Sequence, residues 1–240
     1  MSRIAANYII GQRPEIYLKY SLQSIKWVDE CIVVNTGNDD NPNMQTVREE
    51  MPNAKIIKFD CVFNFSNARN VALSNTSSDW VLWVDADEVH FNNFEKIVRD
   101  LIYLNFADAY QFGFFHFLLD MFHYQSIDLR CNLFKREGKH WAGDVHEHVE
   151  PLFSVYNHEY RYHHYGYTKP QNEIYENWRL YWSLNEPEKW KLDEKRDPNN
   201  IISDRVTVAH QYIGLYPEVI QSYIKDQQVL VDGYKFKEHE

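Results

Sequence analysis

The chain has 240 residues, 44% of them hydrophobic and 16% aromatic, enough to bury a substantial core as one domain with a small appendage. A net charge of −10 and an isoelectric point near 5.5 argue against a general polyanion-binding surface. Nucleic acid is therefore not the favoured partner, although it stays open as an acceptor.

Cys31, Cys61 and Cys131 lack metal-ligand spacing and have apolar neighbours, which predicts buried, reduced thiols. The N-terminus enters a strand-like run almost at once, with no basic region, apolar core and cleavage site, so a cytoplasmic location is expected. The aromatic run Phe112 to Phe122 is interrupted by His116 and Asp120 and is too short to span a bilayer.

Ile4 to Ile10 is apolar and β-branched, a first strand. Pro14 opens a predicted helix whose Ile16, Leu18, Leu22 and Ile25 are mostly spaced for one buried side. Cys31 to Val34 is a second strand, ending in the turn-rich Asn35-Thr36-Gly37-Asn38-Asp39-Asp40. Pro42 starts a second helix through about Met51, and Lys55 to Phe59 is a third strand. Ser66 is placed to cap a helix from Asn67 to about Asn75, after which Asp79 leads into the strand Trp80-Val81-Leu82-Trp83-Val84. A helix from Phe94 to Leu104 follows.

This alternation predicts an α/β fold with a mainly parallel sheet flanked by helices. Beyond it come strands at Ala109 to Leu119, Leu129 to Arg136 and Tyr160 to Tyr165, with Trp141 to His148 as a loop rich in proton-transfer groups. A helix from about Glu173 to Leu184 closes a first domain, residues 1–184. Residues 185–200 read as a charged linker and residues 201–240 as a helical hairpin.

Asp85 and Asp87 follow the fourth strand, and the period of two predicts that they point to the same side. Mg²⁺ or Mn²⁺ takes one or two carboxylates together with the phosphates of a substrate, so the pair suits a phosphorylated donor. The competing reading makes both residues caps of the following helix. Ligands of such sheets collect outside the carboxyl ends of the strands, where Asn7, Asn35, Asp40 and Asp85 to Glu88 are expected. That coincidence favours the metal site.

Cys-Ile-Val-Val-Asn-Thr-Gly-Asn-Asp-Asp (31 to 40), Asn-Phe-Ser-Asn-Ala-Arg-Asn (64 to 70), Trp-Val-Leu-Trp-Val-Asp-Ala-Asp-Glu (80 to 88), Gly-Asp-Val-His-Glu (143 to 147) and His-His-Tyr-Gly-Tyr (163 to 167) occur in order. This set resembles glycosyltransferase family 2, the GT-A-fold transferases that use nucleotide sugars, over roughly residues 3 to 184. It looks most like the bacterial and phage subgroup in which tetratricopeptide-like hairpins often follow the transferase domain.

The resemblance implies a metal-dependent, inverting transfer of a sugar from a nucleotide diphosphate, by default a UDP-sugar, to a hydroxyl of a glycan, protein or modified base. It places Asn35 at the nucleotide base and Asp40 in the same loop, where a plain turn role is the alternative. Arg69 falls near the donor diphosphate, or else in a structural ion pair. Asp85 faces the ribose or sugar and Asp87 ligates the metal, while Glu88 either supports the metal's water shell or is solvated. His164 reaches the metal or the departing phosphate, with His163 as the substitute if the strand faces the other way. Glu147 is the expected base, Asp144 its alternate, and His146 or His148 an orienting group.

Two other functions compete. A nucleotidyltransferase is disfavoured because Asn7-Tyr-Ile-Ile-Gly-Gln-Arg-Pro14 has one Gly and one Arg where a glycine-rich basic loop is needed. A catalytically silent carbohydrate-binding or assembly module would suit the Tyr and Trp content, although cores use these residues equally.

Overall fold

The apolar runs of the first half form four parallel strands: β1 (Ile4–Ile10), β2 (Glu30–Asn35), β3 (Lys55–Lys58) and β4 (Trp80–Trp83). The computed structural model describes residues 2–60, 64–118, 120–143, 147–169, 173–176, 179 and 209–231. Helices α1 (Leu18–Ser24), α2 (Asn43–Glu50) and α3 (Phe65–Ser74) connect these strands, and α4 (Phe94–Leu104) follows them.

The second half adds β5 (Glu88–Val89), β6 (Ala109–Leu118), β7 (His123–Lys135) and β10 (Val155–Tyr167) to the same sheet. A separate two-stranded ribbon, β8 (His140–Ala142) and β9 (His148–Glu150), interrupts that succession. The main sheet runs β3-β2-β1-β4-β7-β6-β10-β5, with β11 (His210–Gln211) paired to β7. A 3₁₀ turn at Glu218–Ile220 leads into α5 (Gln221–Val231). The architecture is therefore mixed α/β, with a parallel N-terminal half extended by antiparallel pairings and by the parallel pair β6–β10.

Burial follows the pleat. Tyr8, Ile10 and Val33 pack with Leu18, Leu22, Val47 and Val98 on one face, while Ile32 and Val34 pack against Ala68 and Ala72 on the other. The small alanines let α3 lie close to the sheet. A fully buried leucine such as Leu22 contributes about 1.5 to 3 kcal/mol.

Several expected boundaries shift for physical reasons. Helix α1 begins at Leu18 and leaves Ile16 51% exposed. Helix α3 begins earlier than expected because Asn64, not Ser66, is its cap: the Asn64 side chain accepts the Asn67 N–H at 2.8 Å. Ser66 lies inside the helix and donates to the Gly143 carbonyl. Asn7 sits in mid-strand opposite Ile32 and Trp83, rather than near the end of β1.

At the C-terminus, residues 210–211 form a strand where a helix was expected, and the second expected helix is present as α5. Ile220 and Ile224 join Tyr17, Val89, Phe117 and Tyr165 in a second apolar cluster, so this segment packs onto the sheet. Cys61, Asp144, His146, the expected linker and residues 201–208 lie outside the described residues. Cys31 and Cys131 carry free thiols, pushed up to about 12 by burial.

Candidate active site

Strand β4 stops at Trp83, and residues 85–88 form a turn in which the Glu88 N–H donates to the Asp85 carbonyl at 3.1 Å. The expected strand alternation therefore does not set the direction of Asp85 and Asp87. A Glu88 carboxylate oxygen closes the turn by accepting the Asp85 N–H at 3.0 Å. Helix α4 is flanked by Asn93, which excludes the capping reading of both aspartates.

Asp85 faces two guanidinium groups. Its Oδ1 accepts from the Trp83 indole at 2.9 Å and from Arg69 at 3.3 Å, and its Oδ2 accepts from Arg130 at 2.7 Å. Burial pushes its carboxyl up, but Arg130, Arg69 and the indole outweigh that and hold it well below the usual range. Both guanidinium carbons lie against the Trp83 ring, 3.6 Å from its centroid for Arg69 and 4.7 Å for Arg130.

Arg69 is the fifth residue of α3. Its Nε donates to Glu147 at 2.7 Å, which joins the expected base to the Asp85 cluster. Helix spacing explains the approach: Ser66, Arg69 and Asn70 share one face. Asn70 exchanges bonds of 2.8 and 2.9 Å with the Trp141 backbone, clamping the β8–β9 ribbon against α3. His148, on that ribbon, is exposed beside Glu150 rather than beside Glu147.

Asp87 has different partners. Its Oδ1 lies 3.5 Å from His164 Nε2, and its Oδ2 accepts from Lys169 at 3.2 Å. Burial, which would raise its carboxyl, is outweighed by Lys169 and His164. The pairing of β5 with β10 sets His164 directly opposite Glu88. The Tyr165 N–H donates to the Asp87 carbonyl at 2.9 Å.

His164 therefore faces the acidic turn. His163 points into the aromatic cluster and is held by Tyr165 at 2.8 Å and Tyr212 at 2.9 Å. His164 Nδ1 is buried without a hydrogen-bond partner. Gly166 makes the approach of Asp87 and His164 sterically possible, because a Cβ there would lie 2.7 Å from His164 Cε1 and 3.0 Å from Asp87 Oδ2.

Glu88 is fully buried, which removes the solvated alternative. It accepts from Arg130 at 2.6 Å and Tyr162 at 3.1 Å. Burial, resisted by Arg130 and reinforced by Asp85, pushes its carboxyl up to about 8. Glu88 is thus a support for Arg130 and the turn.

At the end of β2, Asn35 Oδ1 accepts from Gly37 at 3.0 Å and Asn41 at 2.7 Å, and its amide donates to the Asn38 carbonyl at 3.2 Å. Its side chain shapes the loop. Gln12 joins from the end of β1, accepting the Asn38 N–H at 2.6 Å and donating to the exposed Asp40 at 3.3 Å. Asn7 faces away from this loop and takes a 3.1 Å bond from Thr76 beneath α3.

Lys169, Arg130, Glu15 and Gln12 were not anticipated, since each joins the site through partners remote in sequence. A groove of about 1020 Å³ opens at the opposite end of the sheet, lined by Ser2, Ile4, Asp79 and Trp80, and it contains none of the expected site residues.

Parallel strands ending in an acidic turn, with guanidinium and ammonium groups gathered against it, define a GT-A-type transferase fold. The chain belongs to glycosyl transferase family 2, whose model matches residues 15–164. A TPR repeat-containing protein of Synechococcus elongatus is 37% identical over 90 residues, which cover 37% of this chain and 21% of that protein.

S. aureus TarS 1–349 in complex with UDP aligns with a TM-score of 0.51 at 14% identity, covering 74% of this chain and 64% of that one. The same TarS fragment in complex with UDP-GlcNAc gives a TM-score of 0.50 at 14% identity, covering 74% and 65%. These likenesses establish the fold. The chain spans less than two thirds of each of these relatives.

Proposed function

We propose that the chain is a metal-dependent, inverting glycosyltransferase that moves a sugar from a nucleotide diphosphate, by default a UDP-sugar, to an acceptor hydroxyl. The supporting observation is the Asp87, His164 and Gly166 arrangement. A carboxylate and an imidazole 3.5 Å apart suit one divalent cation, and the absence of a Cβ at Gly166 leaves them room. Asp87 and His164 would hold Mn²⁺ or Mg²⁺, which supplies Lewis-acid neutralisation of the departing diphosphate.

The remaining roles belong to the chain's own groups. Arg69 and Arg130 add preorganised positive charge beside Asp85, where phosphate oxygens gain charge as the glycosidic bond breaks. Asp85, held ionised by them, faces the sugar or ribose. Glu147 receives the acceptor's proton, and Arg69 fixes its orientation. Asp144 is its alternate. The Gln12, Asn35 and Asp40 loop cradles the base, with Asn35 acting by shaping it. The acceptor hydroxyl belongs to a glycan, a protein or a modified base. Free thiols at Cys31 and Cys131 suit a reducing cytoplasm, and no described helix is long and apolar enough to cross a membrane.

A thermal-shift screen of nucleotide sugars with Mn²⁺ tests this reading, because a ligand of the native state raises its melting temperature. One donor class is expected to raise it only when Mn²⁺ is present. No shift with any nucleotide sugar, with or without metal, contradicts the proposal.

A further inference from the structure

Lys169 lies five positions beyond His164, and its ammonium bridges Asp87 and Glu15 while its side chain is only 12% exposed. Its position is built from both sides. Thr168, its neighbour, shares a 2.5 Å hydroxyl bond with Tyr17, and Glu15 accepts the Tyr17 N–H at 3.2 Å. The Glu15 N–H donates to Asn43 at 2.8 Å, the Asn43 N–H to Asn41 at 3.0 Å, and Asn41 to Asn35 at 2.7 Å. A continuous line of hydrogen bonds therefore runs from the loop at the end of β2 to Asp87.

We propose that Lys169 is the counter-cation of Asp87 in the donor-free enzyme and competes with the divalent metal for that carboxylate, so that metal binds tightly only together with a nucleoside diphosphate. The inference rests on the reading that Asp87 and His164 hold the metal, and it adds an order of binding to it. A divalent cation on Asp87 and an ammonium on the same carboxylate repel each other across a partly desolvated site. Glu15 gives the ammonium a second carboxylate to stay with, so leaving Asp87 does not leave it unpaired. An arriving diphosphate adds the negative charge that lets both cations remain. The base loop and Asp87 share this line of bonds, so donor seating and release of Asp87 occur together.

The test is a titration of the full chain with Mn²⁺, reading free Mn²⁺ by electron paramagnetic resonance, with and without UDP. Wild type is expected to bind Mn²⁺ weakly alone and at least about tenfold more tightly with UDP. Lys169→Met should bind Mn²⁺ alone at least about tenfold more tightly than wild type and lose most of the UDP dependence. Lys169→Arg should keep the wild-type pattern.

Lys169→Met leaves two carboxylates without their cation. The double variant Glu15→Gln/Lys169→Met removes that excess charge and should show the same gain in donor-free affinity. Equal or weaker donor-free Mn²⁺ binding in both methionine variants, with UDP-dependent binding intact in wild type, overturns this inference alone. Absence of Mn²⁺ binding from every protein even with UDP overturns the metal reading and this inference with it.

Discussion

Gly166 stands against His164 so closely that a Cβ would come within 2.7 Å of the imidazole carbon Cε1. The same atom would lie 3.0 Å from Asp87 Oδ2, so the missing methyl is what lets carboxylate and imidazole share one space. Gly166→Ala is expected to keep the fold and to weaken Mn²⁺ binding in the presence of UDP by about ten- to a hundredfold. Calorimetric titration beside a thermal melt checks it, and unchanged affinity counts against the pair as ligands.

Glu147 is bonded to Arg69 at 2.7 Å and is the base in the proposed transfer. Glu147→Gln keeps the size and removes the base. Its kcat should fall by about 10² to 10⁴ while UDP affinity stays near wild type. Loss of UDP binding in step with turnover would instead assign Glu147 to holding Arg69 in place.

Arg130 joins Asp85 to the fully buried Glu88. Removing Arg130 strips both carboxyls of a charge-assisted hydrogen bond and forces Glu88, already pushed up to about 8, to take up a proton in the fold, so Arg130→Leu is expected to cost about 1.5 to 3 kcal/mol in urea denaturation. Adding Glu88→Gln should recover part of that loss. A double variant no more stable than Arg130→Leu would show that Glu88 is not what Arg130 neutralises.

His90 is fully buried, stacked on Phe94 at 4.1 Å with the Tyr160 hydroxyl 3.4 Å from its Nδ1, and burial pushes its pKa down from 6.5 to about 3. Between these values the unfolded chain binds a proton that the folded chain does not. Stability is therefore unaffected above pH 6.5 and falls as pH drops toward 3, by about 1.4 kcal/mol per unit from this group. Thermal melts from pH 7 to 4 should be less steep for His90→Phe, which keeps the stacking on Phe94. Parallel slopes would remove His90 as a source of acid sensitivity.

The sequence made the local elements readable where the apolar pattern was strong. The residues of α4 and β1 were expected as found, and the strand before Asp85 ends one residue sooner than expected, at Trp83. The direction of Asp85 and Asp87 was not, because a turn held by Glu88 replaces strand alternation. The choice between His163 and His164 also waited on the fold. Both share one strand, and only the pairing of β5 with β10 decides which faces the acidic turn.

Arg130 and Lys169 left no local signal. They meet their carboxylates across separations of 45 and 82 residues, which no spacing rule reaches. The expected cap Ser66 failed on a smaller scale: Asn64 begins the helix sooner, which frees the serine hydroxyl for the ribbon that carries Glu147.

The most direct measurement is turnover of a nucleotide-sugar donor by hydrolysis, with and without Mn²⁺, in wild type and Asp87→Ala. Mn²⁺-dependent release of the nucleoside diphosphate by wild type and its loss in the variant are expected if Asp87 holds the metal. Equal release by the two proteins, or release by wild type that ignores Mn²⁺, would contradict that role.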